Sequence, residues 1–178
     1  MASSKSTMRQ EPNIIVTGTP GVGKSSHAEL LSSNTGLKLV SVNRVVTDRE
    51  CHEGWDEQHQ SWILLDSLEE EVPRGGCIID WHACEVFPKS WIDLVVVLRA
   101  DSTILYDRLT SRHYTPEKLG ENIDAEIMQV ILEEARESYD EELIVELRSD
   151  TAEDMESNVE RIQTWIRNWK GNNAGADT

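Results

Sequence analysis

The string Gly18-Thr-Pro-Gly-Val-Gly-Lys24-Ser25 constrains this chain more than any other part of it. It matches G-x-x-x-x-G-K-[ST] and lies where that pattern has structural meaning. Before it comes the β-branched run Asn13-Ile-Ile-Val-Thr17, the mark of a buried strand. After it, residues 24–34 read as a helix with Ala28, Leu30 and Leu31 on the inner side. Glycines let successive backbone N–H groups turn inward around an anion, and the helix N-terminus adds its partial positive charge. Lys24 is placed to neutralise β- and γ-phosphates, and Ser25 offers a hydroxyl to Mg²⁺. The candidate nucleotide-binding residues of the loop are therefore Gly18, Gly21, Val22, Gly23, Lys24 and Ser25.

The rest of the chain alternates strand and helix signals. Residues 37–42, 77–80 (CIID), 92–98 (IDLVVVL) and 143–147 are predicted strands. The 92–98 run is apolar on both faces and belongs in the middle of a covered parallel sheet. Helices are predicted over 43–50, 62–72 and 101–111, with Asp101 available as a cap. One long amphipathic helix is expected over 122–138, and a last one from Ser149 or Asp150 with a stripe that runs from Met155 to Trp169. Residues 51–60 and 113–120 read as polar connections. This order gives an α/β fold with a parallel sheet and right-handed crossovers. Residues 1–11 and 171–178 are expected to be disordered tails around one domain over 12–170.

The formal net charge is −16, which disfavours direct nucleic-acid binding and suits a basic protein partner. The same charge also serves a plainly solvated surface. No apolar run is long enough to cross a bilayer, and the polar start of the chain is no secretory signal, so an intracellular protein is expected. Three cysteines, an odd and sparse set, read as reduced thiols, with Cys77 in the core.

Four further side chains are candidates for chemistry. Asp80 ends an apolar strand, where a carboxylate can hold Mg²⁺ directly or through water; a helix cap or a surface turn would use the same residue. His82 lies two residues on, able to orient a water or substrate group, or simply to be packed or solvated. Arg108 and Arg112 share a helix face before the polar segment. They could close over a triphosphate and stabilise charge in the transition state, or form salt bridges with Asp107 or Asp101. Cys51, His52 and His59 fit no standard zinc spacing.

The segments PNIIVTGTPGVGKSS, IIDWH, FP, DLVVVLR, LYDRLTSRHY and EEARESY together resemble the nuclear adenylate kinase family, isoenzyme six, also called the coilin-interacting nuclear ATPase proteins. The resemblance runs from about Pro12 to about Trp169. It implies a nucleoside-monophosphate-kinase fold: a P-loop, a five-stranded parallel sheet with helices on both faces, and a short lid. It implies conversion of ATP and AMP to two ADP with Mg²⁺, and a slow ATPase. It also implies a role in small ribosomal subunit maturation and pre-rRNA cleavage. That role runs through a basic ribosomal protein of the subunit platform within the pre-ribosomal particle, in nucleus and cytoplasm. By position, the loop residues, Ser26 after them and Arg112 would bind ATP, and Asp80 and His82 would serve Mg²⁺ and hydrolysis. The monophosphate-binding part would be about 41–64 and the lid about 111–121. Two departures bear on AMP. Arg44 stands where relatives usually carry aspartate, and an acidic stretch of relatives is missing near Ile63-Leu64-Leu65-Asp66. The alternative is an ATP-driven assembly ATPase with little or no AMP kinase activity.

Overall fold

The structure, a computed structural model, describes residues 9–48 and 65–174, with backbone alone for 46–48. Five parallel strands form one sheet: β1 (Ile14–Thr17), β2 (Lys38–Ser41), β3 (Cys77–Asp80), β4 (Leu94–Arg99) and β5 (Ile144–Arg148). Their order is β2-β3-β1-β4-β5. The six described helices are α1 (Lys24–Thr35), α2 (Val42–Asp48), α3 (Ser102–Ser111), α4 (Pro116–Ile127), α5 (Val130–Ser138) and α6 (Ala152–Ala174). Residues 65–68 add a short helical stretch.

The side-chain period of two divides the strands between two cores. Ile14, Val16, Ile78, Val96 and Leu98 face α1, α3 and α6, meeting Ala28, Leu31, Leu105, Leu109, Val159 and Ile162. Ile15, Val40, Ile79, Val95 and Val97 face the other way, onto Leu68, Val72, Leu132, Ala135 and Tyr139. Strands covered on both faces must be apolar throughout, which is why LVVVL reads as it does. Register then sets the site. β3 lies directly beside β1, and the pairing Val16↔Asp80 places the aspartate at the carboxyl end of the strand that feeds the glycine loop.

The expected helix over 122–138 is two helices. Gln129 takes a left-handed conformation (φ 59°), which ends α4 and starts α5 on a new axis. Hydrophobic spacing continued through the break and hid it. The segment 113–120, expected as a polar connection, is helical from Pro116, with Thr115 accepting from the Lys118 N–H as its cap. The last helix is capped by Thr151, whose Oγ1 accepts from the Asp154 N–H while Asp154 accepts from the Asp150 and Thr151 N–H groups. It runs on to Ala174, so residues 171–174 are helix rather than tail. Residues 9–11 are also held. Arg9 pairs with Asp93 at 2.7 Å, Glu11 with Lys170 at 2.6 Å, and the Glu11 carbonyl accepts from the Gly76 N–H. These contacts tie down what sequence alone leaves as tails. Expected elements over 49–64, with Cys51, His52 and His59, lie outside the described residues.

Asn13 pins the amino edge of the sheet. Its fully buried side chain donates to the Val72 and Trp91 carbonyls and accepts from the Cys77 N–H at 3.0 Å. Asn13→Ala strands the Cys77 N–H and the Trp91 carbonyl and is expected to cost about 2–4 kcal/mol. Urea unfolding should show a lower midpoint with an unchanged slope.

Candidate nucleotide site

The loop between β1 and α1 turns on three glycines with positive φ: Gly18 (150°), Gly21 (93°) and Gly23 (98°). Space as well as backbone angle demands glycine at Gly21. A Cβ there would stand 2.9 Å from Leu105 and 2.9 Å from Leu109, because α3 packs straight onto the loop. At Gly18 a Cβ would meet the Leu98 carbonyl oxygen at 2.7 Å. The loop is thus wedged between β4 and α3. Ser149 reinforces it, its hydroxyl donating to the Val22 carbonyl at 2.5 Å.

Lys24 opens α1. Its Nζ donates to the Gly18 carbonyl at 2.9 Å and the Thr19 carbonyl at 3.2 Å, which folds the side chain back over its own loop. Burial lowers its pKa to about 8; Asp80 and Glu126 work against the shift, and Arg112 works with it. Ser25 donates to Asp80 Oδ2 at 2.6 Å, and Asp80 itself is buried. A hydroxyl and a carboxylate in contact at the loop form a hard oxygen donor pair that fits Mg²⁺. Among the described residues no cluster of three or more His, Cys, Asp or Glu side chains could hold a metal ion.

A cleft of about 240 Å³ opens beside the loop, lined by Gly21, Gly23, Ser26, Arg108, Arg112 and Met155 among others. Arg112 follows the last turn of α3, exposed, its backbone N–H bonded to the Leu109 and Thr110 carbonyls. Arg108, one turn earlier, donates to the Gly21 carbonyl at 3.3 Å and the Asp150 carbonyl at 3.0 Å.

Residues 14–129 match the family described as an AAA domain. The chain is 48% identical over 166 residues to an adenylate kinase isoenzyme 6 homolog of Dictyostelium discoideum, covering 90% of this chain and 95% of the relative. A homolog of the same name from Schizosaccharomyces pombe is 49% identical over 169 residues, covering 92% and 97%. The chain belongs to the adenylate kinase isoenzyme 6 family. It is an adenylate-kinase-like P-loop kinase, as its sequence resemblance implies. A gluconokinase from Sinorhizobium meliloti shares the fold, with a TM-score of 0.61 at 17% identity over 96% of this chain and 100% of that one.

Within this isoenzyme 6 fold the predicted residues divide into groups. Gly18, Gly21, Gly23, Lys24, Ser25 and Asp80 converge at one corner, with Ser26, Arg108 and Arg112 around the adjoining cleft. Val22 contributes only backbone, its side chain being fully buried. Arg108 bonds backbone carbonyls of the site, and the salt bridges open to it from sequence, with Asp101 or Asp107, do not form; Asp101 instead accepts from the Thr103 N–H and caps α3. His82 lies exposed just past Asp80, its ring tilted against Trp81 at 4.1 Å between centroids, while its carbonyl accepts from the Thr17 hydroxyl.

Two features of the site escaped sequence reading. His27 is buried under the loop; its Nδ1–H donates to the Gly23 carbonyl, and its Nε2 accepts from Asn158, which also donates to the Arg148 carbonyl. That arrangement takes the neutral imidazole, and burial lowers its pKa accordingly. The second feature joins Arg99, Glu126 and Thr19. Arg99 Nε meets Glu126 Oε1 at 2.6 Å, and the Thr19 hydroxyl meets Oε2 at 2.6 Å. A signal was present in DLVVVLR: an arginine closing a doubly covered strand must find a buried carboxylate. Nothing in the spacing says which carboxylate.

A lysine with pKa about 8 loses its charge in the range where an ordinary one keeps it. Anion binding uses the protonated form, so kcat/KM for Mg-ATP should hold to about pH 8 and then fall by about tenfold per unit. A profile between about pH 7 and 9.5 checks this; a flat profile would contradict the assigned environment of Lys24.

Proposed function

We propose that this protein transfers the γ-phosphoryl group of ATP to AMP, giving two ADP, and hydrolyses ATP slowly at the same site. The observation that carries the reading is the convergence of Lys24, Ser25 and Asp80 on one glycine loop, with Arg112 across the cleft. Phosphoryl transfer asks little covalent chemistry of a protein; positioning and charge neutralisation supply most of the rate. Lys24 leaves its two loop carbonyls to meet β- and γ-phosphate oxygens, and the backbone N–H groups of the loop cradle the same charge. Ser25 and Asp80 would hold Mg²⁺, which when bound neutralises charge between the β- and γ-phosphates. Arg112 closes over the transferring group, Arg108 keeps the loop and the Asp150 turn at fixed separation, and His82 is available to orient a water for the hydrolytic reaction.

The cellular role we propose is small-subunit maturation, in nucleus and cytoplasm, through a basic ribosomal protein of the pre-ribosomal particle. A net charge of −16 supports a basic protein partner rather than direct contact with nucleic acid. One observation favours the second reading, an assembly ATPase with little AMP kinase activity. Arg44, in the part that the family resemblance assigns to monophosphate binding and where relatives usually carry an aspartate, lines a cleft of about 290 Å³ at the β2 edge, so that part departs from the family pattern in charge.

ADP and inorganic phosphate released from Mg-ATP, with and without AMP, decide between the two. A slow release of ADP with matching phosphate in the absence of AMP, and a much faster formation of ADP without matching phosphate once AMP is added, is the expected result. ADP formation that AMP does not raise, with phosphate matching it throughout or raised by a basic ribosomal protein, supports the assembly ATPase. Lys24→Ala should lower either turnover by at least about a hundredfold, and unchanged turnover would remove the site from the proposal.

A further inference from the structure

Glu126 is nearly fully buried on the last turn of α4, yet no side chain of its own helix pairs with it. Its carboxylate reaches three other places instead. Oε1 accepts from Arg99 Nε at 2.6 Å and from the Ala100 N–H at 3.1 Å, at the carboxyl end of β4. Oε2 accepts from the Thr19 hydroxyl at 2.6 Å, inside the phosphate loop. The Glu126 carbonyl takes a second donor of Arg99, at 2.7 Å. Thr19 in turn presents its own carbonyl to Lys24 Nζ at 3.2 Å. One continuous set of hydrogen bonds therefore runs from α4, the helix that begins within the lid segment, through Thr19, to the phosphate-binding lysine. Three residues after Glu126 the chain breaks at Gln129, so α4 is anchored at this end by Glu126 rather than by continuation into α5.

We propose that Glu126 is a positioning residue for the phosphate loop, and that through Thr19 it makes the ordering of α4 and the setting of Lys24 a single event. The inference rests on the loop being a nucleotide site. It adds that occupancy of the loop is reported to the lid side by a hydroxyl–carboxylate contact. Replacing Glu126 would leave Arg99 with a buried unpaired charge and endanger folding. Thr19→Val is the cleaner change, since it keeps shape and removes only the donor, and Thr19→Ser restores it.

The test is amide hydrogen exchange on the full chain, without ligand and with Mg-ATP. In the natural protein, Mg-ATP should slow exchange in residues 18–25 and 116–127 together. In Thr19→Val, ligand-free exchange over 116–127 should rise by about tenfold, and Mg-ATP should protect 18–25 without protecting 116–127. The kcat for ADP formation should fall with KM for ATP within about twofold, and Thr19→Ser should recover both readouts. Natural exchange over 116–127 in Thr19→Val, or failure of serine to restore it, would overturn the proposal. Protection of neither segment in the natural protein would instead remove the nucleotide reading of the loop. The ligand-free comparison of Thr19→Val with the natural protein would still decide whether Glu126 holds α4 to it.

Discussion

The carboxyl edge of this sheet is organised around one partly buried ammonium group. Taking a lysine head out of water is unfavourable, and the charged form survives only where oxygens surround it. Here the oxygens are the Gly18 and Thr19 carbonyls, with Asp80 and Glu126 acting at longer range. Those four groups come from the loop itself, from β3 and from α4. Each element must therefore arrive at the right height for Lys24 to keep its charge near neutral pH. A phosphate chain is a better partner for the same ammonium, so binding exchanges a pair of carbonyl dipoles for a full negative charge. The loop is held rigid by groups that do not touch that charge: leucines of α3 against Gly21, the Ser149 hydroxyl on Val22, and His27 beneath Gly23.

The two cores do different work. On the face of α1, α3 and α6, packing reaches the loop directly, so side chains such as Leu105 and Leu109 fix how far the arginines at the end of α3 can approach. On the other face, the Tyr139 hydroxyl at the end of α5 donates to the Cys84 carbonyl at 2.7 Å, with the Phe87 carbonyl at 3.1 Å sharing the same proton, and locks the connection after β3. That connection follows directly on the segment that carries His82. Cys84 sits inside this packing with its thiol pushed up to about 12 by burial and nearby glutamates, so it behaves as a small apolar side chain.

Much of this was legible in the residues because it depends on local pattern. Strand β4 announced itself by being apolar on both faces, and the glycine motif needed only its neighbours to be read. Asp80 could be placed near the loop because it ends an apolar strand of the same parallel sheet, although a helix cap or a surface turn would have used the same residue. What was not legible depends on a single backbone angle or on distant partners. Gln129 gives no warning of its left-handed turn, since Ile127, Val130 and Ile131 continue a plausible helical spacing across it. Ile127 and Val130 turn out to be exposed, so two of those three residues never face a core. Glu126 looked like one more glutamate in an acidic chain. Its burial comes from an arginine 27 positions earlier and a threonine 107 positions earlier, separations that no local window spans.

The ion pair between Glu11 and Lys170 has a practical meaning for handling the molecule. It brings the first and last described parts of the chain within a side chain's reach of each other, at the amino edge of the sheet. Nucleotide chemistry occupies the opposite edge. A short covalent bridge across residues 11 and 170 would therefore close the polypeptide into a ring without crossing a strand, and new termini could be opened at an exposed turn such as that around Gln129. A rearranged chain of this kind would keep its five-strand order while freeing α4 from α5, turning connectivity itself into an adjustable property of the enzyme.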